Sequence, residues 1–80
     1  MNVTVLFFGI TTDLVETSET VFSLDKKVTV KDFKQLLLEK YPNLTNLTTY
    51  AIAVNEAYAT DSILLTDGDV VAVIPPVSGG

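Results

Sequence analysis

Apolar residues recur along the chain in two distinct periods. From Val3 to Ile10 both alternating registers are apolar, with Val3, Val5 and Phe7 on one side and Leu6, Phe8 and Ile10 on the other. Such a β-branched and aromatic run predicts an interior strand, covered on both faces or flanked by neighbours. Thr11-Thr12-Asp13 breaks it. Glu16 to Leu24 is richer in Thr, Ser and Glu, with Phe22 and Leu24 sharing a face. It predicts a second strand nearer an edge, antiparallel to the first through a short connection. Tyr50 to Val54 alternates weakly and predicts a third strand, Asn55-Glu56 a turn, and Tyr58 to Leu65 an irregular stretch or short edge strand. Val70 to Ile74 is an uninterrupted apolar strand, and Pro75-Pro76 ends it, because neither residue donates to a ladder.

Between the second and third strands the period changes to that of a helix. Val30, Phe33, Leu36, Leu37 and Tyr41 form an apolar stripe, while Lys31, Lys34, Gln35 and Lys40 face water. Thr29 is a suitable N-cap with Asp32 three residues on as an imperfect capping box, and Val28 and Phe33 stand at the two staple positions. Pro42 stops the helix, because a residue before proline is pushed out of the helical region. Asn43 to Thr49 reads as a linker.

The order is strand, strand, helix, strand, short strand, strand. The first and last strands are the most apolar and are predicted to be central, parallel neighbours joined by a right-handed crossover through the helix. The fold class is α+β: a mixed sheet of four to five strands with one main helix packed on one face, the β-grasp arrangement. Residues 1–74 are expected to form this domain and residues 75–80 an extended tail.

Composition narrows the function. Eighty residues bound a single small domain. Cys, His, Trp and Arg are all absent, which excludes a disulfide framework, a Cys/His zinc site, a thiol nucleophile and imidazole chemistry. The net charge of −5 has the wrong sign for a nucleic-acid footprint and would steer the domain toward basic partners. No stretch approaches the length of a membrane span, and the opening MNVTVLFFGI lacks a basic n-region, so no membrane partner and a cytoplasmic location are expected. Three Asn-x-Thr sequons carry no meaning without a secretion signal. Thr66-Asp67-Gly68-Asp69 is a turn signal, with Gly68 free to take positive φ. A calcium loop needs about six or more oxygen ligands at set spacing, and the rest of that pattern is missing. Lys26-Lys27 and the helix lysines read as a solvated face, with docking onto an acidic patch as the alternative.

No side chain is a convincing catalyst, which leaves the C-terminus. In Pro75-Pro76-Val77-Ser78-Gly79-Gly80 the prolines fix φ and hold the exit extended, lowering the entropy lost on docking. The last two residues have no side chains and can enter a narrow channel. Six extended residues reach at most roughly 20 Å. The α-carboxylate of Gly80 is ionised at neutral pH, its reference pKa being about 3.5. Such a group can attack the α-phosphate of ATP in a partner enzyme, giving an acyl adenylate. A sulfur donor can then convert it to a thiocarboxylate, or an amine can take it as an amide. An inert terminus is the bland alternative.

Ala53-Val54-Asn55, then Leu65-Thr66-Asp67-Gly68-Asp69-Val70-Val71-Ala72, then Ile74-Pro75-Pro76-Val77-Ser78-Gly79-Gly80 resemble the MoaD family, the small subunit of molybdopterin synthase, a ubiquitin-like sulfur carrier. Val5-Leu6-Phe7-Phe8 also fits its first strand. The related ThiS carrier of the thiamine pathway shares the Gly-Gly but lacks the Pro-Pro. The resemblance implies that Gly80 is adenylated by an E1-like enzyme of the MoeB type, which uses ATP, and is loaded as a thiocarboxylate by a sulfur donor protein. It implies insertion of the tail into a large subunit of the MoaE type, where sulfur passes to cyclic pyranopterin monophosphate and Gly79 lets the tail through. No cofactor is implied for this chain itself. Phe8, Tyr58 and Ile74, with Pro75, Pro76, Val77 and Ser78, fall where the family meets its partner; for the first three a core role is the rival. Gly9 stands where the family often has Ala, and Thr12 where Arg is common. A thiamine-type carrier and a protein-conjugating modifier remain the alternatives.

Overall fold

The first and last strands do lie side by side. In the computed structural model, which describes residues 1–46 and 50–75, strand β1 (Asn2–Phe7) pairs in parallel with β5 (Val70–Ile74), matching Val5 to Val71 and Phe7 to Val73. Strand β2 (Glu19–Ser23) is antiparallel to β1 on its other side. Strand β3 (Ala51–Val54) is antiparallel to β5, and the short β4 (Ala57–Tyr58) closes the far edge. The five-stranded order β2-β1-β5-β3-β4 is the mixed β-grasp sheet expected from the pattern.

Helix α2 (Val30–Lys40) forms where the 3.6-residue stripe predicts it. Thr29 caps it, its hydroxyl accepting from the Asp32 N–H at 3.3 Å. Two more of its first N–H groups find partners in the 59–65 loop: Val30 donates to the Ile63 carbonyl at 2.8 Å and Lys31 to that of Asp61 at 3.1 Å. The irregular stretch after Tyr58 therefore tethers the helix start, with Leu65 buried beneath it. At the other end Tyr41 (φ −126°, ψ 76°) has left helical space before Pro42.

The helix buries Val30, Phe33 and Leu37 against Val3, Val5, Phe7, Val71 and Val73 in one core. Aromatic rings fill its flank, Phe22 lying 5.2 Å from Phe33 and Phe7 meeting Tyr41 edge-on at 5.5 Å. Lys40 does not simply face water, since its Nζ stands 5.1 Å from the centroid of the Phe22 ring and shields it.

Three expectations are corrected. Strand β1 stops at Phe7 rather than Ile10, because Gly9 turns the chain with φ +54° and ψ −135°, a conformation suited to glycine alone. The supposed break then becomes a short helix, α1 (Ile10–Val15), so β2 starts at Glu19 rather than Glu16. The supposed linker is partly core: Pro42–Asn46 form a 3-10 turn that drives Leu44 to full burial. Leu47, Thr48 and Thr49 lie outside the described residues.

Truncating a side chain buried this completely leaves a cavity that a one-turn segment relaxes only in part. Leu44→Ala is expected to lower unfolding free energy by about 2–4 kcal/mol in urea titrations. A loss below about 1 kcal/mol would show that the 3-10 turn is not part of the core.

Candidate functional site

A strand points alternate side chains to opposite faces, so each central strand that buries one set must present the other. Val3, Val5 and Phe7 of β1 and Val71 and Val73 of β5 go under α2. Leu6, Val70, Ala72 and Ile74 therefore stand on the far side, joined across the register by Ala53 opposite Ala72 and Tyr58 opposite Ala53. Among the described residues no element lies over this face. It forms an open concavity of about 640 Å³ with Phe8, Asn55 and Glu56 at its margins. Tyr58 is 76% exposed and Phe8 48%, so neither is a core residue; Ile74 is half-buried.

Phe8 is held out by a buried hydroxyl. Thr11, fully buried, accepts the Phe8 N–H at 2.9 Å and returns its own proton to the Phe8 carbonyl. Thr12 donates to the Phe7 carbonyl at 3.2 Å. Both threonines thus fix the elbow between β1 and α1, and the ring of Phe8 follows. The glycine of that elbow also touches the chain's exit: a Cβ on Gly9 would stand 3.0 Å from Cγ of Pro75. Phe8, Ile74 and Pro75 consequently meet at one end of the face, where the chain leaves the sheet. Of the residues singled out from the sequence, Pro76, Val77, Ser78, Gly79 and Gly80 lie outside the described residues.

The opposite end is built from a polar lattice. Asn55 (φ +51°) and Glu56 (φ +72°) make the two-residue β3–β4 turn, a geometry in which asparagine is at home and glutamate is unusual. The Asn55 amide donates to Asp69 at 3.0 Å and its oxygen accepts the Val70 N–H at 3.0 Å, locking the turn to the start of β5. Asp67 and Asp69 are spent on bonds within the lattice. Asp67 accepts the Asn2 N–H at 2.7 Å and Asp69 the Thr66 N–H at 2.8 Å, around Gly68 at φ +86°. The D-G-D sequence is thus a turn, and among the described residues no three potential ligands cluster as a metal site.

Leu6, Val70, Ala72, Ala53, Asn55 and Glu56 were not assigned to a partner surface from the sequence. The signal was present: with one helix and two central strands apolar in both registers, one register has to remain uncovered.

Partial desolvation alone would raise the Asp69 pKa, but hydrogen bonds from the Thr66 N–H, the Asn55 amide and the Thr66 hydroxyl outweigh it and hold the carboxyl below its ordinary value. A carboxyl lowered in the folded state stabilises above its unfolded pKa, about 3.9, and that contribution fades as pH falls through the folded value. Asp69→Asn is expected to cost on the order of 1 kcal/mol at pH 7, discounted for exposure. In urea unfolding the gap to the parent should narrow between pH 4 and pH 2; a gap that widens on acidification would contradict the assignment.

Three comparisons place these features in a family. The profile of the ThiS family matches residues 5–80. The molybdopterin synthase sulfur carrier subunit of Drosophila erecta is 34% identical over 83 residues, covering 100% of this chain and 92% of that one. In a solved protein–protein complex of subunits 1 and 2 of the molybdopterin-converting factor from Helicobacter pylori, the matched chain is 31% identical with a TM-score of 0.70, and each chain is covered in full. SAMP1 from Haloferax volcanii shares the fold alone, at a TM-score of 0.86 and 21% identity over 100% of both chains. The ubiquitin-like β-grasp body is thus that of a known group, and the chain belongs to the ThiS family, being of the MoaD type.

Proposed function

We propose that this chain is the sulfur-carrier subunit of a molybdopterin synthase, with Gly80 as the C-terminal residue of the working protein. The observation that carries the reading is the joining, at one end of the sheet, of an uncovered apolar face and the chain's exit toward Pro-Pro-Val-Ser-Gly-Gly. A partner that grips Phe8, Tyr58 and Ile74 has the tail directed from a fixed point.

The chemistry belongs to the main chain. A Gly80 carboxylate oxygen attacks the α-phosphorus of ATP in an E1-like partner of the MoeB type, and pyrophosphate leaves. A sulfur donor protein then supplies sulfur to the acyl carbon, AMP leaves, and a thiocarboxylate results. Inside a large subunit of the MoaE type this sulfur bonds to cyclic pyranopterin monophosphate, water attacks the acyl carbon and breaks its C–S bond, and Gly80 returns as a carboxylate ready for reloading. Pro75 and Pro76 limit the entropy lost when Val77 and Ser78 dock, and Gly79 passes the narrow channel. With no thiol or imidazole of its own, the chain leaves activation and insertion to its partners and holds no cofactor itself.

Intact-mass measurement tests this. Co-produced with the activating enzyme and sulfur donor of its own genome, the chain should gain about 16 Da, one oxygen exchanged for sulfur. Deleting Gly80 should abolish the gain and leave the urea midpoint unchanged. No gain under activating conditions overturns the carrier reading, and a ladder of isopeptide adducts instead would mark a protein modifier.

A further inference from the structure

The chain's charges are unevenly divided along its sequence, although Asp61, outside the lysine-bearing stretch, pairs with Lys34 of α2 at 2.9 Å. The stretch from Asp25 to Lys40, the approach loop and α2, holds all five lysines against three carboxylates, a formal +2. The other seven carboxylates leave the rest of the chain at −7, which together give the net −5. Of those seven, Glu19, Glu56 and Asp69 stand on the open face or at its margin. No strand position on that side is a lysine, and Glu19 stands there directly opposite Leu6.

The carboxylates are also unevenly placed along the face. Glu56 lines the concavity beside Tyr58, and Asp69 is joined to Asn55 at the same margin, the Val70 end of β5. The chain leaves from the Ile74 end, and five residues of strand separate the two by roughly 13 Å. The apolar centre alone would accept a partner in more than one orientation. Glu56 and Asp69 at the Val70 end, with Glu19 half-way along on the β2 edge, restrict that freedom, because a reversed partner places its basic group over Phe8 and leaves Glu56 unanswered. A second copy of this chain is a poor occupant, since each copy carries a net charge of −5.

We propose that the partner seated on the open face carries an apolar patch framed by Lys or Arg, with its basic cluster roughly 13 Å from the mouth of the channel that receives the tail. The inference rests on the sulfur-carrier reading and specifies the matching surface of the large subunit. Charge sets the approach and orientation, and apolar contact sets the residence time.

The test is the rate of association of the full chain with the large subunit from the same genome, by stopped-flow or surface plasmon resonance. Between ionic strengths of roughly 0.02 and 0.5 M, association should slow about tenfold or more, with dissociation changing less than about twofold. At low salt Glu56→Lys and Glu19→Lys should each slow association about threefold or more, and Glu56→Gln, which keeps the shape, by a smaller factor. Lys27→Gln, on the helix layer, should stay within about twofold of the parent. An association rate indifferent to salt, or unchanged in Glu56→Lys, overturns the inference and leaves the carrier reading standing. No association at any ionic strength overturns the carrier reading and the inference with it.

Discussion

One helix covers one face of a sheet, and that limit governs this molecule. β1 and β5 pair in parallel at the centre and are apolar in both registers, yet α2 lies over one side only. Burying a large apolar side chain is worth about 1.5–3 kcal/mol, so Phe8 and Tyr58, left outside, represent stabilisation the isolated domain does not collect. A second protein can collect it. The same alternation that makes the core makes the open face, and neither can be altered without the other, because a one-residue slip of β1 or β5 would exchange them.

The two ends of that face are prepared differently. At the exit end, the buried Thr11 hydroxyl fixes the Phe8 main chain and Gly9 lies against Pro75, so the departure point of the tail is coupled to the elbow of β1. At the other end, Asn55 and Asp69 tie the β3–β4 turn to the start of β5 and hold Glu56 at the rim. An apolar middle between a geometric end and a charged end suits a surface that must both hold a partner and aim a peptide. Loss of the Thr11 hydroxyl would act at Phe8 without touching any partner atom.

Much of this was legible in the sequence because the signals were long or chemically sharp. Eleven residues of helical period with Thr29 ahead and Pro42 behind gave α2 within a residue, and the doubly apolar runs at each end gave the central parallel pair. Asn55-Glu56 was recognisable as a turn from its residue types. The missed pieces, α1 and the 3-10 turn, are each a turn or so long, too short for periodicity to separate from a break or a linker. Leu44 in particular is one apolar residue among Asn and Thr, and only tertiary packing shows that it is core. Phe8 looked like a continuation of the strand, whereas the φ of Gly9, invisible in composition, ends β1 and the Thr11 hydroxyl holds the Phe8 main chain at the elbow. Its partly exposed neighbours Leu6, Val70 and Ala72 were predictable in principle, from counting one helix against two faces.

The division of the sheet into a covered and an offered face is tested most directly by mapping where the large subunit lands. In the 15N-labelled full chain titrated with it, the amides of Leu6, Phe8, Tyr58, Val70 and Ile74 should shift or broaden, while those of Lys31, Lys34 and Gln35 on the solvent side of α2 stay in place. Perturbation confined to α2, with the open face undisturbed, would contradict the account.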